Sequence, residues 1–474
     1  MNIRKNPLLS SLLIIVAAIA LLAGCQSLPS ALKQPLADNG ELYVYLQPLP
    51  QETDRLGFMV TRISAVNDRG EQFPLKLKLQ NLKGSDPQRQ RFFAYGQLPP
   101  GNYAALTFSV RNARLRTEEG EAALVVTDAG SRSDVSFTIN NRKALLINLN
   151  FNLRKSLTNE VQFSPVFDAV IPGKPVPGLV GYVSNYADNT LTVFDKQSMQ
   201  VNGIIATGRG PKGIAFDQRR RRAYVALFDD DMVQVFDIST GNLVNQISLN
   251  VGDNPQEIAL SPDGRTIVTT NTGTNSISII DANSLFETGR VSVGDGPTSA
   301  LIDPSGKRAF VFNTTANTIS VVDLARRSVL TTIATEPSPL RGQFNRRGDA
   351  LYVIQKFSPY LSVVNPTSLA VTRRTNVGTG ATAIKVDTNT DQIYLAKEQD
   401  GRIAVYDPFS FLPGVSIDEP ESTSHMAIDG EENNLCTLDG ENGSLLFINL
   451  VSRKIVGRID VGEAPCQVSL IGER

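Results

Sequence analysis

Between Gly181 and the C-terminus the chain closes a short β-branched run with an Asp or Asn seven times, at Asp195, Asp237, Asp281, Asp323, Asn365, Asp407 and Asn449. The steps between these residues are 42, 44 and then four times 42. A second landmark keeps the same step: Pro211, Pro255, Pro297 and Pro339, then Ala381 and Thr423, then Pro465. A repeat of about 40–45 residues with several short strands marks a β-propeller with one four-stranded blade per repeat. A single blade cannot bury both of its faces, so the ring must close before any part of it is stable. Seven landmarks predict seven blades.

The phase of the repeat predicts how the ring closes. The array opens on a hairpin, Gly181 to Asp195, and a third strand at Val201 to Ala206. The next innermost strand follows Pro211, at Gly213 to Phe216. The chain ends on an innermost strand, Gln467 to Ile471, which must complete the first blade. Ser261-Pro262-Asp263-Gly264 and Asp303-Pro304-Ser305-Gly306 have the composition of turns between first and second strands.

Ahead of the repeats, residues 41–170 carry seven or eight short β-rich runs separated by turn residues, which predicts an all-β sandwich. The clearest are Leu42–Leu46, Leu75–Leu79, Tyr103–Val110 and Ala144–Phe151. Residues 171–178 read as a stiff Pro/Gly linker to a propeller at 179–474, and residues 25–40 as a polar tether. At the N-terminus, Arg4 and Lys5 precede an apolar stretch from Leu8 to Ala23, the pattern of a signal peptide over residues 1–24. Leu22-Ala23-Gly24-Cys25 resembles a bacterial lipobox. That resemblance implies cleavage before Cys25 and its lipidation; the alternative is an uncleaved membrane anchor. Gln26 in place of Asp implies the outer membrane if the host is Gram-negative.

Two further resemblances concern fold. Tyr182-Val183-Ser184-Asn185, with weaker copies at Tyr224-Val225 and Phe310-Val311-Phe312-Asn313, resembles the YVTN repeat of archaeal surface-layer proteins and periplasmic seven-bladed propellers. Leu98-Pro99-Pro100-Gly101-Asn102-Tyr103 resembles a turn of prealbumin-like and carbohydrate-binding-like sandwich modules. The expected fold is therefore all-β: a seven-bladed β-propeller closed by the C-terminal strand, with an N-terminal β-sandwich. Such a fold hosts binding, scaffolding and occasional catalysis, so it does not name a function.

Chemistry is sparse. One His excludes a multi-histidine metal centre, and a Ser-His-Asp triad has only His425 to draw on. No haem-attachment motif, nucleophile elbow or phosphate loop occurs, and the absence of Trp argues against relation to quinone-cofactor propellers. No cofactor or metal is expected. A formal net charge of −1 argues against nucleic acid as partner. With Cys25 set aside, Cys436 and Cys466 are expected as two buried thiols, a disulfide being the alternative.

Stepping by the repeat places His425 in one ring with Gly213, Glu257, Ser299, Arg341, Ala383 and Gln467, at the mouth of the innermost strands. Lys212, Glu257, Arg341 and His425 are thus candidates for holding a small polar ligand or peptide terminus, against the plainer reading of a solvated rim. One face gathers acidic loops, among them Asp229, Asp230, Asp231, Glu419 and Glu421, a candidate docking surface for a cationic partner. On the opposite face Arg219 to Arg222, Lys307-Arg308, Arg326-Arg327 and Arg346-Arg347 gather on neighbouring blades, suited to anionic lipid or polysaccharide. Solubility alone also accounts for both sets. The expected function is a non-catalytic envelope lipoprotein that binds or scaffolds a protein or glycan partner. One alternative is a periplasmic lactonase-like propeller enzyme; another is a propeller that only spaces a binding sandwich.

Overall fold

The computed structural model describes residue 33 and residues 36–474, apart from 118–119, 127–129, 160, 175, 398–399, 419–422, 432 and 474. The signal segment and Cys25 lie outside the described residues.

Four-stranded antiparallel sheets recur seven times after Val180. Strands are lettered a to d from the axis outward. Blade 2 runs in chain order as Pro211–Asp217, Arg222–Leu227, Met232–Asp237 and Leu243–Ser248. Blades 3 to 7 repeat this from Pro255, Pro297, Pro339, Ala381 and Thr423; among the described residues strand d of blade 6 is Ile417–Asp418. Blade 1 is the composite one. Its strands b, c and d are Val180–Asn185, Thr190–Asp195 and Gln200–Ala206, and its strand a is the C-terminal Pro465–Leu470. Val183 sits opposite Val468 and Gly181 opposite Leu470, so the two ends of the array are joined in one ladder. Buried ions reinforce the seam. The Lys196 ammonium, 1% exposed, donates to Asp429 Oδ1 and to the Ile471 carbonyl, both at 2.8 Å. Such a buried pair is strongly destabilised when one partner is lost, so it disfavours any opened ring.

The seven landmark residues have a local task. Each Asp or Asn side chain accepts backbone N–H groups from the turn between strands c and d, at 2.7–3.1 Å. For Asp281 the donors are Asn283 and Ser284; for Asn365, Thr367 and Ser368; for Asn449, Ser452. Four residues on, the chain is left-handed (Leu285 φ 61°, Arg327 φ 57°, Phe411 φ 59°), and that residue's N–H bonds back to the landmark carbonyl. An Asx turn needs a short side-chain oxygen, which Asp and Asn supply alike. A second brace explains the Asn that ends strand b. Asn185 Nδ2 donates to Thr190 and Thr192 hydroxyls, Asn271 to Ser276 and Ser278, and Asn313 to Thr318 and Ser320, at 2.8–3.1 Å. These amides are buried, and hydrogen bonds to strand c offset the loss of water.

The N-terminal domain is all-β, with strands β1 (Gly40–Leu46), β2 (Leu56–Asn67), β3 (Gln72–Leu77), β4 (Asn81–Lys83), β5 (Arg91–Leu98), β6 (Gly101–Thr117), β7 (Gly120–Ala123), β8 (Val125–Val126), β9 (Ser131–Ile139) and β10 (Ala144–Phe151), most of them in one continuous sheet in which β3 joins β5 to β2. A later strand, β11 (Phe167–Val170), pairs with β10, which pairs in parallel with β1. The strands are not uniformly short, as the sequence suggested. β2 and β6 run for 12 and 17 residues, because register shifts at Gly57/Met59 and Val60/Arg62 bend the pair instead of ending it. In the Pro-Pro-Gly-Asn-Tyr turn the Tyr103 hydroxyl donates to the Pro99 carbonyl at 2.9 Å, tying the turn to the strand that leaves it.

The N-terminal domain and the propeller pack directly on each other. Every residue of β1 is buried because both its faces are covered. Leu42, Val44 and Leu46 point into the core of the N-terminal domain, while Tyr43 and Tyr45 join Phe92 and Leu146 in a cluster with Phe194, Val201, Leu445, Phe447 and Ile459 of blades 1 and 7. Gln90, 3% exposed, spans the seam: its amide accepts from Val201 N–H at 2.7 Å and donates to the Val201 carbonyl at 3.0 Å. Arg89 pairs with Asp460, and Lys78 with Glu463. Cys436 is a buried free thiol, and Cys466, also free, is half-buried.

The Asx turns carry a pH signature. Backbone N–H donors hold the carboxyls of Asp281, Asp323 and Asp407 below the usual range. A depressed folded value means the stabilisation is complete above the unfolded carboxylate pKa, about 3.9, and is lost as pH falls through the folded value. Urea unfolding should show Asp281→Asn near wild type at pH 7 and less acid-sensitive, whereas Asp281→Ala should lose about 1 kcal/mol.

Candidate functional site

Strand a of every blade presents one edge to the axis, and the half-exposed residues there line the channel. Glu257, Arg341 and His425 lie on strands a of blades 3, 5 and 7, all half-exposed toward the channel and enclosed by the surrounding blades. They sense one another. Burial raises the Glu257 carboxyl, and Arg341 is the first influence opposing that rise. Burial holds the His425 imidazole well below its ordinary value, with Arg341 and then Lys385 adding to the effect, so it is neutral at pH 7. His425 Nδ1 has no hydrogen-bond partner, and the Arg341 guanidinium makes no ion pair among the described residues. Lys385 was not singled out from sequence, because it lies two residues along strand a from the ring of His425; it reaches Glu473 Oε1 at 2.5 Å.

Lys212 stands apart from the other three. Its ammonium lies 3.4 Å from the centre of the Phe228 ring and 5.2 Å from that of Tyr186. Burial pulls it below its usual pKa, and aromatic faces take its charge in place of the channel. Burial likewise raises the thiol of Cys466, with Lys212 opposing that shift. At the mouth beside blades 5 to 7 a hollow of about 210 Å³ is lined by Leu340, Lys356, Gly380, Ala381, Thr382, Thr423 and Ser424. Arg341 and His425 directly follow Leu340 and Ser424 in the chain. Among the described residues no group of three or more His, Cys, Asp or Glu side chains could hold a metal ion.

The acidic face is more fully occupied by its own protein than the sequence suggested. Asp231 occupies the same repeat position as Asn189, Asn275 and Asn317, all left-handed, with φ between 49° and 57°. Each side chain accepts an N–H from the loop to the next blade: Gly210 to Asn189, Asn254 to Asp231, Gly296 to Asn275 and Ser338 to Asn317, at 2.8–2.9 Å. Asp231 also accepts from Gly252 at 2.8 Å. Asp230 takes the Arg209 guanidinium and backbone N–H at 2.6 Å. Asp229 contributes, after burial, to lifting the Tyr186 phenol to about 12. Cations from strands d, outside the loops, neutralise further members: Arg290 pairs with Asp253 at 2.6 Å and Arg374 with Glu336 at 2.8 Å. Glu419 and Glu421 lie outside the described residues.

Comparison with known proteins adds to this geometry. Residues 185–339 match the family model described as "Lactonase, 7-bladed beta-propeller". Of the three channel residues, only Glu257 falls in that stretch. No curated protein matches the chain. Among solved structures it is similar to a functionally unknown protein from Desulfotomaculum acetoxidans DSM 771, at TM-score 0.53 and 13% identity, covering 61% of this chain and 99% of that one. It is also similar to the dihydro-heme d1 dehydrogenase NirN in complex with DHE, at TM-score 0.50 and 14% identity, covering 64% of this chain and 77% of that one. At these identities the likeness is one of fold.

If Asp231 is a latch, the amide keeps the bond from Asn254 N–H and loses the one from Gly252 N–H, which a second oxygen accepts. Asp231→Asn should therefore cost about 1 kcal/mol and Asp231→Ala about 1–2 kcal/mol, the alanine leaving two N–H groups unpaired. Chemical denaturation of both variants checks this.

Proposed function

We propose that this protein is a lipid-anchored binding module of the cell envelope whose propeller takes the carboxylate of a small molecule or peptide terminus at its channel mouth. One observation carries the ligand reading: the Arg341 guanidinium is enclosed by the ring with no ion pair among the described residues, beside a neutral His425 whose Nδ1 has no partner. Glu257 acts on Arg341 only from a distance, without an ion pair, so a bound carboxylate can still take the guanidinium with bidentate geometry. His425 can donate or accept one further bond, and the hollow beside it holds a few non-hydrogen atoms. Cys25 and its lipobox-like context support anchoring, with periplasmic or surface exposure left to the host.

The second reading, lactone hydrolysis, is supported by the family match over residues 185–339 and by the raised carboxyl of Glu257 within it. A carboxyl shifted toward neutral pH is suited to proton transfer, and Arg341 is placed to stabilise a developing oxyanion. The binding reading is preferred because nothing orients His425, and Ser299, the hydroxyl in its ring, makes no hydrogen bond to it among the described residues.

Calorimetric titration with acetyl-trialanine and its C-terminal amide separates the readings. The free acid should bind and the amide should not, and Arg341→Ala should weaken binding about tenfold or more. Protonation of Glu257 removes a repulsive charge, so carboxylate binding should strengthen as pH falls through its raised pKa, and Glu257→Gln should abolish that dependence. Acid release from a lactone panel, lost in Glu257→Gln, would establish hydrolysis instead.

A further inference from the structure

We propose that the face carrying the a–b and c–d turns of blades 2 to 5 rests on an anionic lipid surface, with Phe286 as its apolar wedge. Strand direction places all a–b and c–d turns on one face of the ring, and the exposed cations of that face are concentrated in this sector. Arg219, Arg221, Lys307, Arg327, Arg346 and Arg347 are exposed, and none has a side-chain ion pair among the described residues. The exposed carboxylates between them are engaged locally, Asp263 by Arg265 at 4.0 Å and Asp349 by Asn345 at 2.6 Å. Cations alone would suit any polyanion. Here apolar side chains stand among them: Phe286, on the c–d turn of blade 3, is 73% exposed, and Leu243, Val244, Val329 and Leu330, at the turn-proximal starts of strands d in blades 2 and 4, are 38–52% exposed. Basic side chains mixed with exposed aromatic and aliphatic ones are the composition of a surface that inserts shallowly at a lipid interface.

The path of the chain agrees. Residues 37–39 run against Arg142, whose Nε donates to the Ala37 carbonyl and whose N–H donates to that of Asn39. Neighbouring Lys143 donates to Asn242 Oδ1 at 3.0 Å, on the c–d turn of blade 2. Residues 37–39 therefore lie at the edge of the same sector, and Arg142 and Lys143 extend its positive charge. This inference does not need the anchored reading; the composition of the face stands without it.

Vesicle co-sedimentation with unlipidated residues 26–474, which include the whole described fold, separates the two. The chain should bind vesicles of phosphatidylcholine with 30% phosphatidylglycerol, should release in high salt, and should not bind pure phosphatidylcholine. Reversing Arg219, Arg221 and Lys307 to Glu should lower partitioning about a hundredfold, and Phe286→Ser should lower it several-fold. Phe409→Ser, 84% exposed on blade 6 outside the basic sector, should leave it unchanged. All five positions are exposed, so far-ultraviolet dichroism and melting should match wild type. Failure of the wild-type chain to bind anionic vesicles overturns the proposal, as does an equal loss in Phe409→Ser. Binding to anionic vesicles and to soluble dextran sulfate alike, with no effect of Phe286→Ser, assigns the sector to a polysaccharide and also overturns it. Loss of membrane fractionation in Cys25→Ser cells tests the anchor separately.

Discussion

Everything in the propeller depends on one ladder, the pairing of Pro465–Leu470 with Val180–Asn185. Without it blade 1 keeps three strands, Val183 and Val468 lose their cover, and the channel is open at one side. The Lys196–Asp429 pair is buried at that joint, with the Ile471 carbonyl accepting a further bond from the ammonium, so opening the ring would strand a buried charge. The N-terminal domain adds to the same joint from outside, since it packs on strands d of blades 1 and 7, the two blades that closure brings together.

The repeating polar residues serve that ring before they serve any ligand. Asx turns, the amide braces of strands b and c, and the loop latches at Asn189, Asp231, Asn275 and Asn317 satisfy polar groups that the tight turns of both faces would leave without partners. Side chains left over from this work are then informative. In the channel they are Arg341 and His425; on the outer face they are the basic residues of blades 2 to 5. Their positions on a rigid ring underlie the two proposals made above, a small anion at one set and an extended anionic surface at the other.

The repeat was legible because period and turn chemistry are local: 42-residue steps gave the blades, their phase and the closing strand. Ring position was legible by the same stepping, which brought Glu257, Arg341 and His425 together. What sequence did not reveal is what comes from distant chain. Asp253 reads as a free acid until Arg290 arrives from strand d, and Asp231 reads as part of an acidic cluster until its αL backbone shows its kinship with Asn189. Lys212 belongs by spacing to the channel mouth, but Phe228 and Tyr186 draw its ammonium aside. The domain interface had one overlooked signal. Leu42-Tyr43-Val44-Tyr45-Leu46 is apolar or aromatic on both faces, as a strand covered on two sides must be, and the linker-like residues 171–178 masked that reading.

Closure is tested most directly by removing Gly462–Arg474 and following urea unfolding by both fluorescence of the tyrosines and hydrogen exchange of the blade amides. The account predicts loss of the single cooperative transition, with exchange protection falling first in Val180–Ala206 and Thr423–Asp460, and recovery when the peptide Gly462–Arg474 is added back. A truncated chain that unfolds in one transition at the full-length midpoint, with those amides still protected, would contradict it.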